Sequence, residues 1–473
     1  MIQETLHGLS GCSDEGRTAV SGARGRAGRQ PLALACLCGA IALLPLSGCG
    51  ALGRLVALEY RFVDTLSAPA PQPSPPSSAE EALVAVINTE TLEPDVRYLA
   101  SPELAGRARG TPGNAAARAH IVSRLRQAGL TPLFQGSFEQ PTFPEGEGTQ
   151  PYATNIGAYL PAADAGAGWI VLAAHYDHLG IRGGEIHPGA DDNASGVALL
   201  LALADALGRA RPQVRRHMAL VFPDAEEQPD SRTERMGSTW FWRHPPFPIA
   251  KLHCALVFDL LAGPPTSAAR EAGLDTLVFV LGAEASPGLA RLAQVAPPEP
   301  GLEPMLIGLP MIEAVPYLPW HRLAHSDYHG LREHGHRPFL FVTGGRASTY
   351  HTPEDTPDTL DYAKLARITR WAARLMVRTA EGTEELGWAD LVADPRADAR
   401  SLQRLYPAAG DTSLFPWLLR GAFSSDRDRV AELLHAWDAG AEPDLLEFRD
   451  LQLAALRLQA VLAFRPRWWF ALW

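Results

Sequence analysis

Short apolar runs recur through the middle of the chain, most of them closing on a polar or acidic residue. Residues 155–160, 169–174, 217–222, 255–258, 276–281 and 338–342 each predict a strand, and most of these runs do not alternate apolar with polar. A strand that is apolar on both faces belongs in a sheet with helices on both sides, which is the habit of parallel sheets. Helical spacing fills the intervals. Residues 194–207 are almost wholly apolar and predict a buried helix. Leu365, Ile368, Trp371, Leu375 and Met376 predict another over 362–377. Upstream, Thr111-Pro112 reads as a helix start, Ala116, Ile121, Leu125 and Ala128 recur on one face, and Gly129 reads as the stop. The alternation predicts an α/β fold: a mainly parallel mixed sheet with helices on both faces. Beyond Gly382 the pattern turns helical without catalytic residue types. Val430, Leu433, Leu434 and Trp437 predict that 383–473 is a C-terminal helical appendage packed on the core. A second reading puts its aromatic, basic tail at 465–473 against a membrane interface.

The first 48 residues read as a leader rather than as structure. Arg24, Arg26 and Arg29 precede an apolar run at 31–45, and Leu46-Ser-Gly-Cys49 resembles the lipobox of bacterial lipoproteins. That resemblance implies cleavage before Cys49, lipidation of its sulfur and a membrane anchor. Gly50 in place of Asp implies the outer membrane, facing the periplasm. An uncleaved anchor is the other reading, since the apolar run is nearly long enough to span. Residues 49–81 predict a flexible tether, because 66–78 is rich in Pro and Ser. The main folded domain is expected over 82–382. Of five cysteines, only Cys254 lies outside the leader and lipobox, inside an apolar run, so it reads as core. The balance of 42 Lys and Arg against 53 Asp and Glu, net charge -11, has no basic stripe and argues against a nucleic-acid partner.

Candidate chemistry gathers at the ends of the expected strands. Residues 171–197 deliver His175, Asp177 and His178, cross a Gly-rich loop and present Asp191-Asp192 before the buried helix. His175 and Asp177 are two apart, so an extended backbone points them to one side, one to bind a metal and one to steady it. Glu226 and Glu227, Asp259 and His351 close three further strand-to-loop segments. Imidazoles mixed with carboxylates and no thiolate suit catalytic zinc. Two His and three carboxylates, one of them shared, suffice for two metals about 3.5–4 Å apart. The remaining glutamate is then free to act as a base. Asp191 reads as a cap for the helix beginning near Ala194. His178 and His187 read as hydrated loop residues, and His325, His329, His334 and His336 as a wall of the substrate pocket. No Gly-x-Ser-x-Gly elbow supports a serine nucleophile.

Six segments carry a family resemblance: HYD at 175–177, GADDNASG at 189–196, DAEE at 224–227, FDLLAG at 258–263, HSDYHG at 325–330 and YHTPEDT at 350–356. Together with ASPELAGRARGTPGN at 100–114, they resemble the M28 family of zinc aminopeptidases over roughly residues 92–380. The resemblance implies a zinc-exopeptidase-like fold and two Zn2+ as cofactors. It makes Asp192 the bridging ligand, with His175 and Asp259 completing one site and Glu227 and His351 the other. Glu226 becomes the general base, and Asp177 holds the tautomer of His175. Asp327 and Tyr350 are candidate substrate contacts. The implied reaction is hydrolysis of amino-terminal residues from peptides. Two departures bear on it: 228–236 lacks the Gly-Leu usual before Gly237-Ser238, and the Leu-Leu-Ala-Gly-Pro-Pro after Asp259 resembles the glutaminyl cyclase branch. A glutaminyl-peptide cyclotransferase is therefore the alternative, and a non-catalytic binding relative a further one. The pocket walls are expected in 228–236 and 283–324.

Overall fold

Strands that are apolar on both faces need cover on both faces, and the chain supplies it. The structure is a computed structural model describing residues 60–69, 71–265, 267–313, 326–335, 337–409 and 417–463. The leader, Cys49, His325, His336 and the tail at 465–473 lie outside the described residues. Among the described residues, nine strands form the main sheet: β1 (Thr131–Pro132), β2 (Glu139–Pro141), β3 (Thr154–Leu160), β4 (Trp169–Ala173), β5 (His217–Phe222), β6 (Leu252–Asp259), β7 (Leu277–Leu281), β8 (Glu303–Ile307) and β9 (Phe339–Thr343). Their order is β8-β7-β9-β6-β4-β5-β3-β1, with β2 also on β3. The centre is parallel: β4 pairs with β5 and β6, and β6 with β9. Antiparallel pairing enters at β3–β5 and β7–β9, which makes the sheet mixed.

All six strands expected from the apolar runs are present. Their side chains alternate between two cores because the strand period is two. In β5, Met218, Leu220 and Phe222 enter one core while Ala219 and Val221 enter the other. In β9, Leu340 and Val342 face the first, Phe339 and Phe341 the second. Cys254 of β6 is buried and unpaired in the first core, and burial pushes its thiol up to about 12. The two- and three-residue β1 and β2 were not expected, and neither was β8. Its EPMLI sequence is short and contains Pro304, which suits an edge position.

The first core is covered by α1 (Ser78–Val84), α2 (Thr89–Leu99), α3 (Pro112–Gln127), α4 (Gly196–Ala210), α6 (Pro287–Val295) and α7 (Tyr362–Glu381); α5 (Gly237–Arg243) lies on the other face. α3 starts where Thr111-Pro112 predicts, with the Thr111 side chain accepting from Asn114 N, and Gly129 follows its end at φ 65°. α4 is buried from Gly196 through Ala204 because it is enclosed by α1, α2, α3 and α7. The second core is closed by α8 (Pro395–Leu405), α9 (Trp417–Asp438) and α10 (Leu445–Ala463). Val430, Leu433, Leu434 and Trp437 are all buried there, so the appendage shares a core with the sheet. No described helix is long and apolar enough to cross a membrane.

The stretch read as a flexible tether is, where described, tied down. Arg61–Phe62 pairs in parallel with Val392–Ala393. Asp394 accepts from Leu66 N at 2.7 Å and Ser67 N at 2.9 Å while also capping α8 through Ala397 N. Residues 71–77 carry no regular secondary structure, yet Arg378 donates to Ser74 O and Pro75 O. Proline composition signals a chain without regular secondary structure, as residues 71–77 have. It carries no information on partners some three hundred positions away.

Candidate metal centre

The site is assembled at the carboxyl ends of β4, β5, β6 and β9, where an open α/β sheet leaves a crevice. His175 follows β4, Glu226 and Glu227 follow β5, Asp259 ends β6, and His351 lies in the loop after β9. Asp192 arrives from the turn at 190–195 leading into α4. Gly189 makes that turn possible. It sits at φ 63°, and a Cβ there would lie 2.3 Å from Asp192 O and 2.5 Å from the His178 ring. Ala225, Leu260 and His351 also hold left-handed backbones, at φ 60°, 56° and 58°. Non-glycine residues rarely sit there, and such positions cluster at functional sites.

All six expected residues come together. His175 Nε2 lies 3.5 Å from Asp192 Oδ1 and 3.6 Å from Asp259 Oδ1. His351 Nε2 lies 3.0 Å from Asp192 Oδ2 and 3.2 Å from Glu227 Oε1. The two oxygens of Asp192 therefore face two different imidazoles. Glu226 belongs to neither group, with Oε2 3.8 Å from His175 Nε2.

Three neighbours depart from expectation. His178 was read as a hydrated loop residue. Its ring is instead buried in the site, with Nδ1 2.8 Å from Glu227 Oε1 and 3.9 Å from Asp192 Oδ2. Past β4 the backbone is irregular, so strand alternation no longer directs residue 178 away from 175. Asp177 was expected to steady His175. It does so through its backbone oxygen, 3.3 Å from His175 Nδ1, whereas its carboxylate lies 3.6 Å from that nitrogen and accepts from Glu226 N at 3.0 Å and Glu227 N at 3.2 Å. It thus positions the glutamate pair. Asp191 does not cap α4; its carboxylate accepts from Ala262 N at 2.7 Å and anchors the loop after β6.

The donor set fits a cation. His175 Nε2, Asp259 Oδ1, Glu227 Oε1, His351 Nε2 and both ring nitrogens of His178 are buried, and close as some of them stand to one another, none is aligned for a hydrogen bond. Buried polar atoms are normally paired, so converging orphans of this kind call for a ligand. The groups His175/Asp192/Asp259 and His178/Asp192/Glu227 each bring their donor atoms within 4.8 Å of one another. Imidazole and carboxylate donors are those zinc accepts. Charge agrees. Burial pulls the His351 imidazole down, but Asp192 and Glu227 outweigh it and push it up to about 10. Burial drives Glu226 well above the usual carboxylate range, against His175 and with repulsion from Glu227 and Asp259. Burial likewise raises Glu227, but the flanking His178 and His351 rings hold it well below that range.

The supporting layer was largely illegible in the sequence. Arg107 has no exposed surface and donates to five backbone carbonyls: Tyr176, Leu99, Pro188, Gly189 and Asp192. One cation thus clamps both loops that carry His175, His178 and Asp192. Asp355 accepts from Asp191 N at 2.9 Å and Asp192 N at 3.2 Å, and burial pushes it up to about 6. Ser326 donates to Asp259 Oδ2 at 2.9 Å, leaving Oδ1 toward His175. Asp327, expected at the substrate, is fully buried and burial pushes it up to about 7.

The cleft above the site, ≈ 650 Å³ including the open solvent at its mouth, is lined by residues from segments 226–232, 259–260 and 341–351. Of the expected walls, 228–236 contributes. The described part of 283–324 does not, nor do His329 and His334. Tyr350 lines the cleft and stacks on His351 at 3.8 Å. If His178 helps hold the cation, His178→Ala lowers zinc affinity about 10–100-fold, read by competition with a chromogenic chelator. Unchanged affinity would return His178 to a packing role.

Residues 155–296 match peptidase family M28. An uncharacterised protein, YfbL of Escherichia coli, is 28% identical over 233 residues, covering 46% of this chain and 68% of the relative. Among solved structures, LapB from Legionella pneumophila is similar at TM-score 0.49 and 16% identity, over 68% of this chain and 78% of its own. A leucine aminopeptidase precursor from Bacteroides thetaiotaomicron gives 0.46 and 17%, over 62% and 97%. A glutaminyl cyclase from Porphyromonas gingivalis gives 0.45 and 18%, over 62% and 98%. The family match and the donor groups point to zinc.

Proposed function

From a chain whose residues 155–296 belong to peptidase family M28, we propose an aminopeptidase that releases amino-terminal residues from peptides with two zinc ions. The observation that carries this reading is the placement of Asp192, whose two oxygens face His175 on one side and His351 on the other. His175 and Asp259 would hold one ion, Glu227, His351 and His178 the other, and Asp192 both. Zinc, when bound, makes water a nucleophile near neutral pH and polarises the scissile carbonyl.

The remaining work falls to side chains of the chain. Glu226 accepts the proton of the attacking water and delivers it to the leaving amine. Its backbone is fixed by Asp177, so the base is set in place before substrate arrives. The Glu226 carboxylate, which belongs to neither ion, would also accept a local hydrogen bond from the substrate's free ammonium group, which selects the chain terminus over internal bonds.

Zinc-loaded protein is expected to cleave amino-acid arylamides and to leave their N-acetylated forms intact. Cleavage of both would remove the exopeptidase reading. The alternative is cyclisation of amino-terminal glutamine, which the same base could serve. Release of ammonia from Gln-peptides with no arylamide cleavage would favour it.

A further inference from the structure

Two arginines line the same cleft as the metal donors, Arg346 from the loop after β9 and Arg232 from the loop after β5. Neither has a carboxylate within ion-pair range among the described residues. Arg346 lies over the Tyr350 ring at 4.1 Å, and Tyr350 stacks on His351, so the guanidinium sits one ring away from a metal donor. Its Nε is buried with no hydrogen-bond partner. An arginine held on an aromatic face with an unsatisfied buried donor is arranged to receive a planar anion.

The charge balance of the cleft favours the same conclusion. On the reading above, two divalent cations neutralise Asp192, Glu226, Glu227 and Asp259. Arg346 and Arg232 then leave the occupied cleft net positive. We infer that the preferred substrate carries a carboxylate close to the scissile bond, and that Arg346 binds it and sets specificity. A residue spans about 3.5 Å, so a group one ring from His351 is within two residues of a carbonyl at the metals. Two sources of that carboxylate fit: the side chain of an amino-terminal Asp or Glu, or the free carboxyl end of a dipeptide.

The inference rests on the peptidase reading, and its test separates the two. With zinc-loaded protein, kcat/KM is compared for Leu-Ala against Leu-Ala amide, and for Glu-arylamide against Leu-arylamide. One pair is expected to show a preference of roughly ten- to hundredfold for the carboxylate, the range for a hydrogen bond to a charged group. The pair that shows it identifies the source. In Arg346→Gln that ratio is expected to fall toward one, and Arg346→Lys to restore it in part. Cleavage of both members of each pair at equal rates overturns the inference while leaving the peptidase reading intact. No cleavage of any substrate overturns the peptidase reading. Calorimetric binding to Glu226→Gln of Leu-Ala against Leu-Ala amide, and of Glu-arylamide against Leu-arylamide, still decides the inference in that case, because equal affinities within both pairs overturn it without any turnover.

Discussion

Glu226→Gln is expected to lower kcat by about 10²–10⁴ while zinc content stays at the wild-type level. The amide has the carboxylate's shape but accepts no proton at neutral pH. Glu226 lies outside both donor groups that share Asp192, so its loss leaves every proposed ligand in place. Its backbone bond to Asp177 also survives, because that bond uses Glu226 N rather than the side chain. Steady-state kinetics with an arylamide, beside metal analysis of the same preparation, reads both quantities. Activity within severalfold of wild type would remove Glu226 as the base. Loss of zinc along with activity would make it a ligand instead.

Arg107→Met is expected to cost more in stability than any other single change described. The guanidinium is fully buried and satisfies carbonyls of Leu99, Tyr176, Pro188, Gly189 and Asp192. Met fills comparable space but offers no donor, so several buried carbonyls lose their partner at once. A buried acceptor left unsatisfied costs about 1–3 kcal/mol, so the sum reaches roughly 3–5 kcal/mol even with partial rescue by water. Because Asp192 O and Tyr176 O are among those released, the donor loops loosen together. Denaturant unfolding should show the loss of stability, and zinc affinity should fall in whatever fraction remains folded. Arg107→Lys keeps the charge but not the planar fork and is expected to recover only part of either quantity. If Arg107→Met unfolds at the wild-type midpoint, Arg107 does not clamp these loops.

The contrast between these two residues shows what the chain makes legible. Glu226 was recognisable because its chemistry is local: two adjacent glutamates after an apolar strand, in register with His175, Asp192, Asp259 and His351 at other strand ends. The six apolar runs gave the sheet for a similar reason, since period-two burial on both faces leaves a direct imprint. Arg107 leaves none. It donates to backbone, and backbone carbonyls have no letter in a sequence. His178 was misplaced because a loop's sequence does not say which way its side chains turn once β4 has ended. The carboxylate of Asp177 was assigned to His175 by proximity along the chain, whereas it accepts from Glu226 N and Glu227 N, some fifty positions on, and only the backbone oxygen meets His175 Nδ1. The strapping of residues 60–77 onto Arg378 and Asp394 is likewise a matter of long-range partners.

The central claim is that one carboxylate, Asp192, stands between two cations. Anomalous diffraction at the zinc edge from crystals of zinc-loaded protein tests it most directly. Two peaks about 3.5–4 Å apart, one on each side of the Asp192 carboxylate, are expected. A single peak, or two that do not share Asp192, would contradict it.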